Sequence, residues 1–281
     1  MYLVIDCNQA SRLPIDRQTT RRHALIVSPD VLAEILLRSN PEPTLSRIRQ
    51  YHFKIGLMAT DIVRELCHLG LSEITKFEPF PSPGKDYIED YDFLTEAIYR
   101  PSTGHLAWAS DRKANHRNHC GVLIDQSRPA REAMRRVAKE ERAKGSPQWK
   151  LSSFEEIIPC APTPDSFSGD VLRRSLSIYG AGPSRAAEIY AAVLSNNHLR
   201  ALFNILTGYC LSRAGAWADQ KYNFNPSPNQ DDITDILLPF YAADGGCLVT
   251  EDTMLKRLIK ITGMDKAIEI CGASEICQLR A

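Results

Sequence analysis

Short apolar runs alternate with stretches of helical periodicity along most of this chain. Tyr2–Ile5 is too short for a helix and stops at Asp6, as a buried strand does. Ala24–Val27 and Cys247–Val249 have the same form, Val122–Ile124 is a shorter candidate, and the KAIEICGASEI stretch near the C-terminus predicts a final strand. Between them lie helical patterns. Ser28-Pro29-Asp30 supplies an N-cap, a first-turn proline and an acid suited to the helix dipole, followed by the apolar stripe Val31, Leu32, Ile35, Leu36. Thr44–Ile74 reads as one or two amphipathic helices broken near Gly70. Asp86–Tyr99, Pro129–Lys144, Gly169–Ser195 and Leu199–Arg213 read as further helices. Gln9–His23 is polar with room for a short helix, and Phe77–Lys85, Pro101–Cys120 and Ser152–Pro164 read as irregular.

Strands of this kind, separated by helices, predict an α/β fold: a three-layer α/β/α sandwich around a short parallel sheet, with a long, mainly helical insertion. The expected division is a discontinuous core of residues 1–75 and 165–281, with residues 76–164 as a basic insertion. Working sites in such sheets lie at the carboxyl ends of the strands. Asp6 and Thr250-Glu251-Asp252 both fall at such ends.

Composition narrows the class without naming a partner. The chain has 281 residues, 43% hydrophobic and 24% charged, as in an ordinary globular protein. Lys plus Arg equals Asp plus Glu at 34 each, so only local charge clustering can indicate a ligand. No apolar run approaches the roughly 20 residues of a membrane span, and no early segment reads as a signal peptide. The eight cysteines are scattered without a CxxC pair, which points to a reduced, cytoplasmic protein.

The candidate chemistry is carboxylate chemistry. Asn229–Leu255 opens a helix with Asp231, Asp232 and Asp235, breaks at Asp244-Gly245-Gly246, and runs through a strand into Thr250-Glu251-Asp252. Hard divalent cations are held by a few converging carboxylates. The candidates here are Asp6 at a strand end, Glu34 in the capped helix, Asp235 in the later helix and Asp252 after the later strand. Asp232 shares a helix face with Asp235, and Asp244 is a further candidate. Each has an ordinary alternative: Asp252 as a helix cap, Glu34 as a surface residue. Asp6 resists one, because a buried acid costs desolvation unless compensated.

The opening VIDCN, the run LIVSPDVLAEIL, and the pair DILLPFYAAD and CLVTEDTML resemble, in this order, the PIN-domain nucleases. The resemblance covers roughly the first forty and last fifty residues. It implies four acids, Asp6, Glu34, Asp235 and Asp252, holding Mg²⁺ or Mn²⁺, with Asn8 and Thr250 as polar supports. It implies a metal-dependent endonuclease, RNA-directed rather than DNA-directed, leaving a 5′-phosphate and a 3′-hydroxyl. The gap from Glu34 to Asp235 is about twice that of a compact member.

Residues 112–150 carry eleven basic side chains against four acidic ones. That excess suits a nucleic-acid backbone, through Arg128, Arg131, Arg135 and Arg136; a solvated helix face is the ordinary alternative. Ser177–Ala186 resembles a helix-hairpin-helix turn, with Arg185 as a phosphate contact and a plain interhelical turn as the simpler reading. His116, His119 and Cys120 lack a partner pair for zinc. The expected partners are thus nucleic acid, an inhibitory protein if the chain is a toxin, and a second copy in a homodimer, with no membrane. Two alternatives stay open: a structure-specific DNA nuclease, and an inactive PIN-like binding or scaffold module.

Overall fold

The computed structural model describes residues 1–56, 62–79, 88–115, 179–205 and 232–279, with isolated positions between them. Its centre is a sheet of five parallel strands: β1 (Tyr2–Ile5), β2 (Ala24–Val27), β3 (His52–Ile55), β4 (Gly246–Val249) and β5 (Glu269–Cys271). Their order across the sheet is β3-β2-β1-β4-β5. The first three strands therefore step one way from β1 and the last two step the other way. The usual right hand of parallel crossovers assigns the helices after β2 and those flanking β4 to opposite faces; the Asp232–Ala242 helix packs on β1 and β4 and touches the Thr253–Ile261 helix. The result is the α/β layering that the sequence predicts.

Burial follows strand position. Leu3, Val4 and Ile5 in β1 and all of β4 are fully covered, whereas edge strand β5 begins with exposed Glu269. A parallel strand covered on both faces must be apolar throughout, and that continuous apolar run is what makes β1, β2 and β4 readable in the sequence. β3 is different. His52 is exposed, Phe53 buried, Lys54 half-buried and Ile55 buried. This edge alternation sits inside a longer helix-like pattern, which hides it, and the expected helix over Thr44–Ile74 is instead helix, strand and two short helices.

Residues 103–115 are helical rather than irregular. Ser102 starts this helix, with its backbone N–H and hydroxyl both within 3.0 Å of His105 Nδ1. Leu94, Ala97, Ile98 and Ala109 lie in the same core as the sheet, and the Arg49 guanidinium donates to the Ile98 carbonyl at 2.8 Å. Parts of residues 91–115 are thus packed into the same core as the sheet. Val122–Ile124 and most of the Pro129–Lys144 helix lie outside the described residues.

The Asp232–Ala242 helix packs on β1 and β4. Pro239 has no N–H to offer the carbonyl one turn back, so a helix bond is missing at that point. His198 supports the turn that follows, with Nδ1 donating to the Phe240 carbonyl at 2.7 Å. The chain then reverses through Ala243–Gly245, with Asp244 and Gly245 both at φ 83°. Gly246 closes the turn so tightly that a Cβ there would lie 2.9 Å from the Ala242 carbonyl oxygen.

Burial holds the pKa of His198 below its ordinary 6.5, partly opposed by the Phe240 carbonyl and by Asp244 and Glu78. The unfolded chain therefore binds this proton more readily than the folded one. Stability from the neutral ring is complete above pH 6.5 and declines as pH falls below it. Urea unfolding at pH 7.5 and pH 5.5 should show a loss at the lower pH that shrinks in His198→Asn.

Candidate functional site

The register places two side chains next to each other at the carboxyl end of the sheet. Ile5 pairs with Val249, so the residues that follow, Asp6 and Thr250, leave adjacent central strands at the same level. The Asp6 N–H continues the ladder to the Val249 carbonyl at 3.1 Å, and the Thr250 N–H does so to the Cys271 carbonyl at 3.0 Å. The Asp6 carboxylate is 2% exposed. Its Oδ2 accepts from Thr250 Oγ1 at 2.8 Å and its Oδ1 from the Asn8 N–H at 3.0 Å. A charged acceptor removed from water is tolerated when its oxygens are bonded in this way. Each oxygen keeps further lone-pair capacity.

Thr250, fully buried, links two acids. While it donates to Asp6, its hydroxyl oxygen accepts from the Asp252 N–H at 3.1 Å. Asp252 caps the Thr253–Ile261 helix: Oδ1 accepts from the Met254 and Leu255 N–H groups at 2.7 and 3.0 Å. The capping role is real, yet it occupies one oxygen; among the described residues Oδ2 has no hydrogen-bond partner. Asn8 supports Asp6 through its backbone, its side chain being exposed.

Glu34 approaches from the Pro29–Leu36 helix, half-buried. The Cys7 thiol contacts its carboxylate, and Arg38, one turn beyond Glu34, holds the same cysteine: Nη2 donates to the Cys7 carbonyl at 2.9 Å and to Sγ at 3.0 Å. Burial first, then Glu34, push the Cys7 thiol far above its ordinary range; Asp6 adds to this and Arg38 opposes it. Asp6 and Glu34 thus both act electrostatically on Cys7. Beside it Asp30, 7% exposed, pairs with Arg112 at 2.9 Å and ties the 103–115 helix to the end of β2. An exposed Arg12–Glu251 pair at 3.0 Å forms the rim, where solvent screening leaves little energy.

Asp232 and Asp235 open a helix that runs back against β4 before the Ala243–Gly245 reversal. That direction carries its first turn towards the side where the strands end, with Asp235 half-buried. Asp244 does not join them. It sits before the amino end of β4, about 13 Å of strand away from Thr250, and its Oδ1 accepts from Asn197 Nδ2 at 3.3 Å. It serves the turn, and the expectation of a ligand there is corrected by the strand's direction. Arg185 is likewise committed elsewhere, donating to the Leu69 carbonyl at 2.7 Å and lying 3.6 Å from Glu188. It fastens the Pro183–Leu194 helix to the preceding helices, and the glycine turn before it is an interhelical turn. Arg136 is exposed on a helical turn, whereas Arg128, Arg131, Arg135, His116, His119 and Cys120 lie outside the described residues.

The donor chemistry at Asp6 suits a hard cation: carboxylate oxygens at a strand end, anchored and still able to accept. Among the described residues, however, no three His, Cys, Asp or Glu side chains stand in an arrangement that would hold a metal. Two parts stand close to predicted residues in the sequence: Cys7 directly follows Asp6, and Arg38 lies just past the C-cap of the helix that carries Glu34. Asp30 reads as a dipole acid until its distant partner is seen.

Compared with family models, curated proteins and solved structures, the chain matches none. Among the described residues no helix is long and apolar enough to cross a membrane.

Removing the hydroxyl that faces Asp6 strips a buried charge of one donor. Thr250→Val should cost about 1.5–3 kcal/mol in urea unfolding at pH 7, while Thr250→Ser should stay within about 1 kcal/mol. Equal stability of the two variants would mean that the hydroxyl carries none of the compensation.

Proposed function

We propose that this chain is a Mg²⁺- or Mn²⁺-dependent endoribonuclease of the PIN type. The observation that carries the reading is Asp6: a buried, doubly bonded carboxylate at the carboxyl end of the central strand, beside the β1–β4 gap where the strand order reverses. Open parallel sheets bind their ligands at that reversal. Support also comes from Glu34, which acts with Asp6 on Cys7, and from Asp252 joined to Asp6 through Thr250.

In this reading Asp6 is the anchor, held rigid by Thr250 and the Asn8 N–H. Glu34, Asp252 through its second oxygen, and Asp235, with Asp232 beside it, complete the set of donors. A bound divalent ion supplies a nucleophilic water at neutral pH and offsets charge on the phosphate. The chain's own residues orient the carboxylates, while the low exposure around Asp6 and Thr250 limits competing solvent. The basic residues 113–150 would bear on the substrate backbone, Arg112 being taken up by Asp30. RNA is preferred to DNA because the feature leaning towards structured DNA, the Gly180–Gly182 turn with Arg185, is occupied by interhelical contacts.

A second reading is a nucleic-acid-binding module without turnover. It draws on the capping work of Asp6 and Asp252, which would keep both acids in place without a metal.

Purified protein incubated with labelled single-stranded RNA and DNA, in Mn²⁺ or in chelator, separates the readings. Metal-dependent RNA cleavage should fall by at least about a hundredfold in Asp6→Asn and Asp235→Asn, with both variants folded by circular dichroism. Binding without cleavage in the unsubstituted chain supports the second reading. Undiminished cleavage in both variants overturns the site.

A further inference from the structure

β4 and β5 carry two cysteines that the proposed chemistry does not use. Cys247 and Cys271 are 0% and 4% exposed, both free, with their sulfurs 3.1 Å apart. They lie diagonally on one face of the sheet: Cys247 is level with Glu269, and Val249 with Cys271. The contact is a hydrogen bond from the Cys247 S–H to the Cys271 sulfur. That bond, ahead of burial, raises the Cys247 pKa, and it holds Cys271 below its ordinary value, where burial and Glu275 oppose it. Cys271, the acceptor of that bond, stands on the edge strand β5.

The pair is wired to the carboxylate site. The Cys271 carbonyl accepts the Thr250 N–H, and Thr250 holds Asp6. We propose that Cys247 and Cys271 form a redox-active dithiol whose closure to a disulfide acts on Thr250. The oxidant is a peroxide. The Cys271 thiolate displaces hydroxide from hydrogen peroxide to give a sulfenic acid, and the Cys247 sulfur then displaces water from it. In total two thiols and one peroxide become one disulfide and two waters. Two residues of rise and one strand spacing separate the Cα atoms by about 8 Å, beyond the roughly 7 Å limit for a disulfide without backbone movement. Closure therefore shears β5 along β4, and the Thr250–Cys271 bond lies in the path of that shear. This inference needs no metal and stands apart from the nuclease reading.

The test uses the full chain, reduced and freed of reductant, then exposed to hydrogen peroxide. Denaturing alkylation should find two fewer of the eight thiols, and peptide mapping should link Cys247 to Cys271, reversibly with dithiothreitol. Cys271→Ala should abolish the link. Amide hydrogen exchange at Thr250 should rise about tenfold in the oxidised chain, the loss of roughly one backbone hydrogen bond. A link between other cysteines, or both thiols still alkylatable, overturns the site. A Cys247–Cys271 link with unchanged exchange at Thr250 overturns its action on Thr250.

Discussion

The hydrogen bond from Thr250 to Asp6 joins the two ends of the sequence, 244 residues apart. A buried carboxylate at a strand terminus is tolerable only where donors meet it, and here both donors come from strand register and local turn geometry. β1 must lie beside β4, with Ile5 level with Val249, for the threonine hydroxyl to arrive. Everything else at the carboxyl end follows from that placement. The Thr250 oxygen fixes the start of the Thr253–Ile261 helix through the Asp252 N–H, and its backbone N–H fixes β5 through Cys271.

The same constraint explains why the acids divide as they do. Those at or after strand ends, Asp6 and Asp252, are held by capping bonds in orientations that leave capacity to accept more. Glu34 faces Cys7, which Arg38 in turn holds. Asp244 has a carboxylate as good as any, but the direction of β4 puts it at the opposite end. Proximity in sequence to Thr250 is not proximity in space when a strand intervenes.

Much of the sheet is legible in the sequence because central parallel strands must be apolar on both faces, and β1, β2 and β4 are. Ser28-Pro29-Asp30 marks its helix by local chemistry alone. β3 is lost because an edge strand of four residues alternates in a way that also fits a helix. The 103–115 helix is obscured by Pro101, Gly104 and the surrounding histidines, and its Ser102–His105 start is a side-chain arrangement that periodicity does not reveal. For the site, strand ends identify Asp6 and Thr250. The Cys7–Arg38 brace, the Asp30–Arg112 pair and the Cys247–Cys271 contact join elements whose spacing is set only by the fold.

The proposed role of Asp6 as the anchor for a hard divalent ion can be read in metal binding alone. Calorimetric titration of Mn²⁺ into the unsubstituted chain, Asp6→Asn and Asp244→Asn tests it without requiring a substrate. Binding should weaken at least about tenfold, or about 1.4 kcal/mol, in Asp6→Asn and be unchanged in Asp244→Asn. Equal Mn²⁺ affinity in Asp6→Asn and the unsubstituted chain would contradict an anchoring role for Asp6.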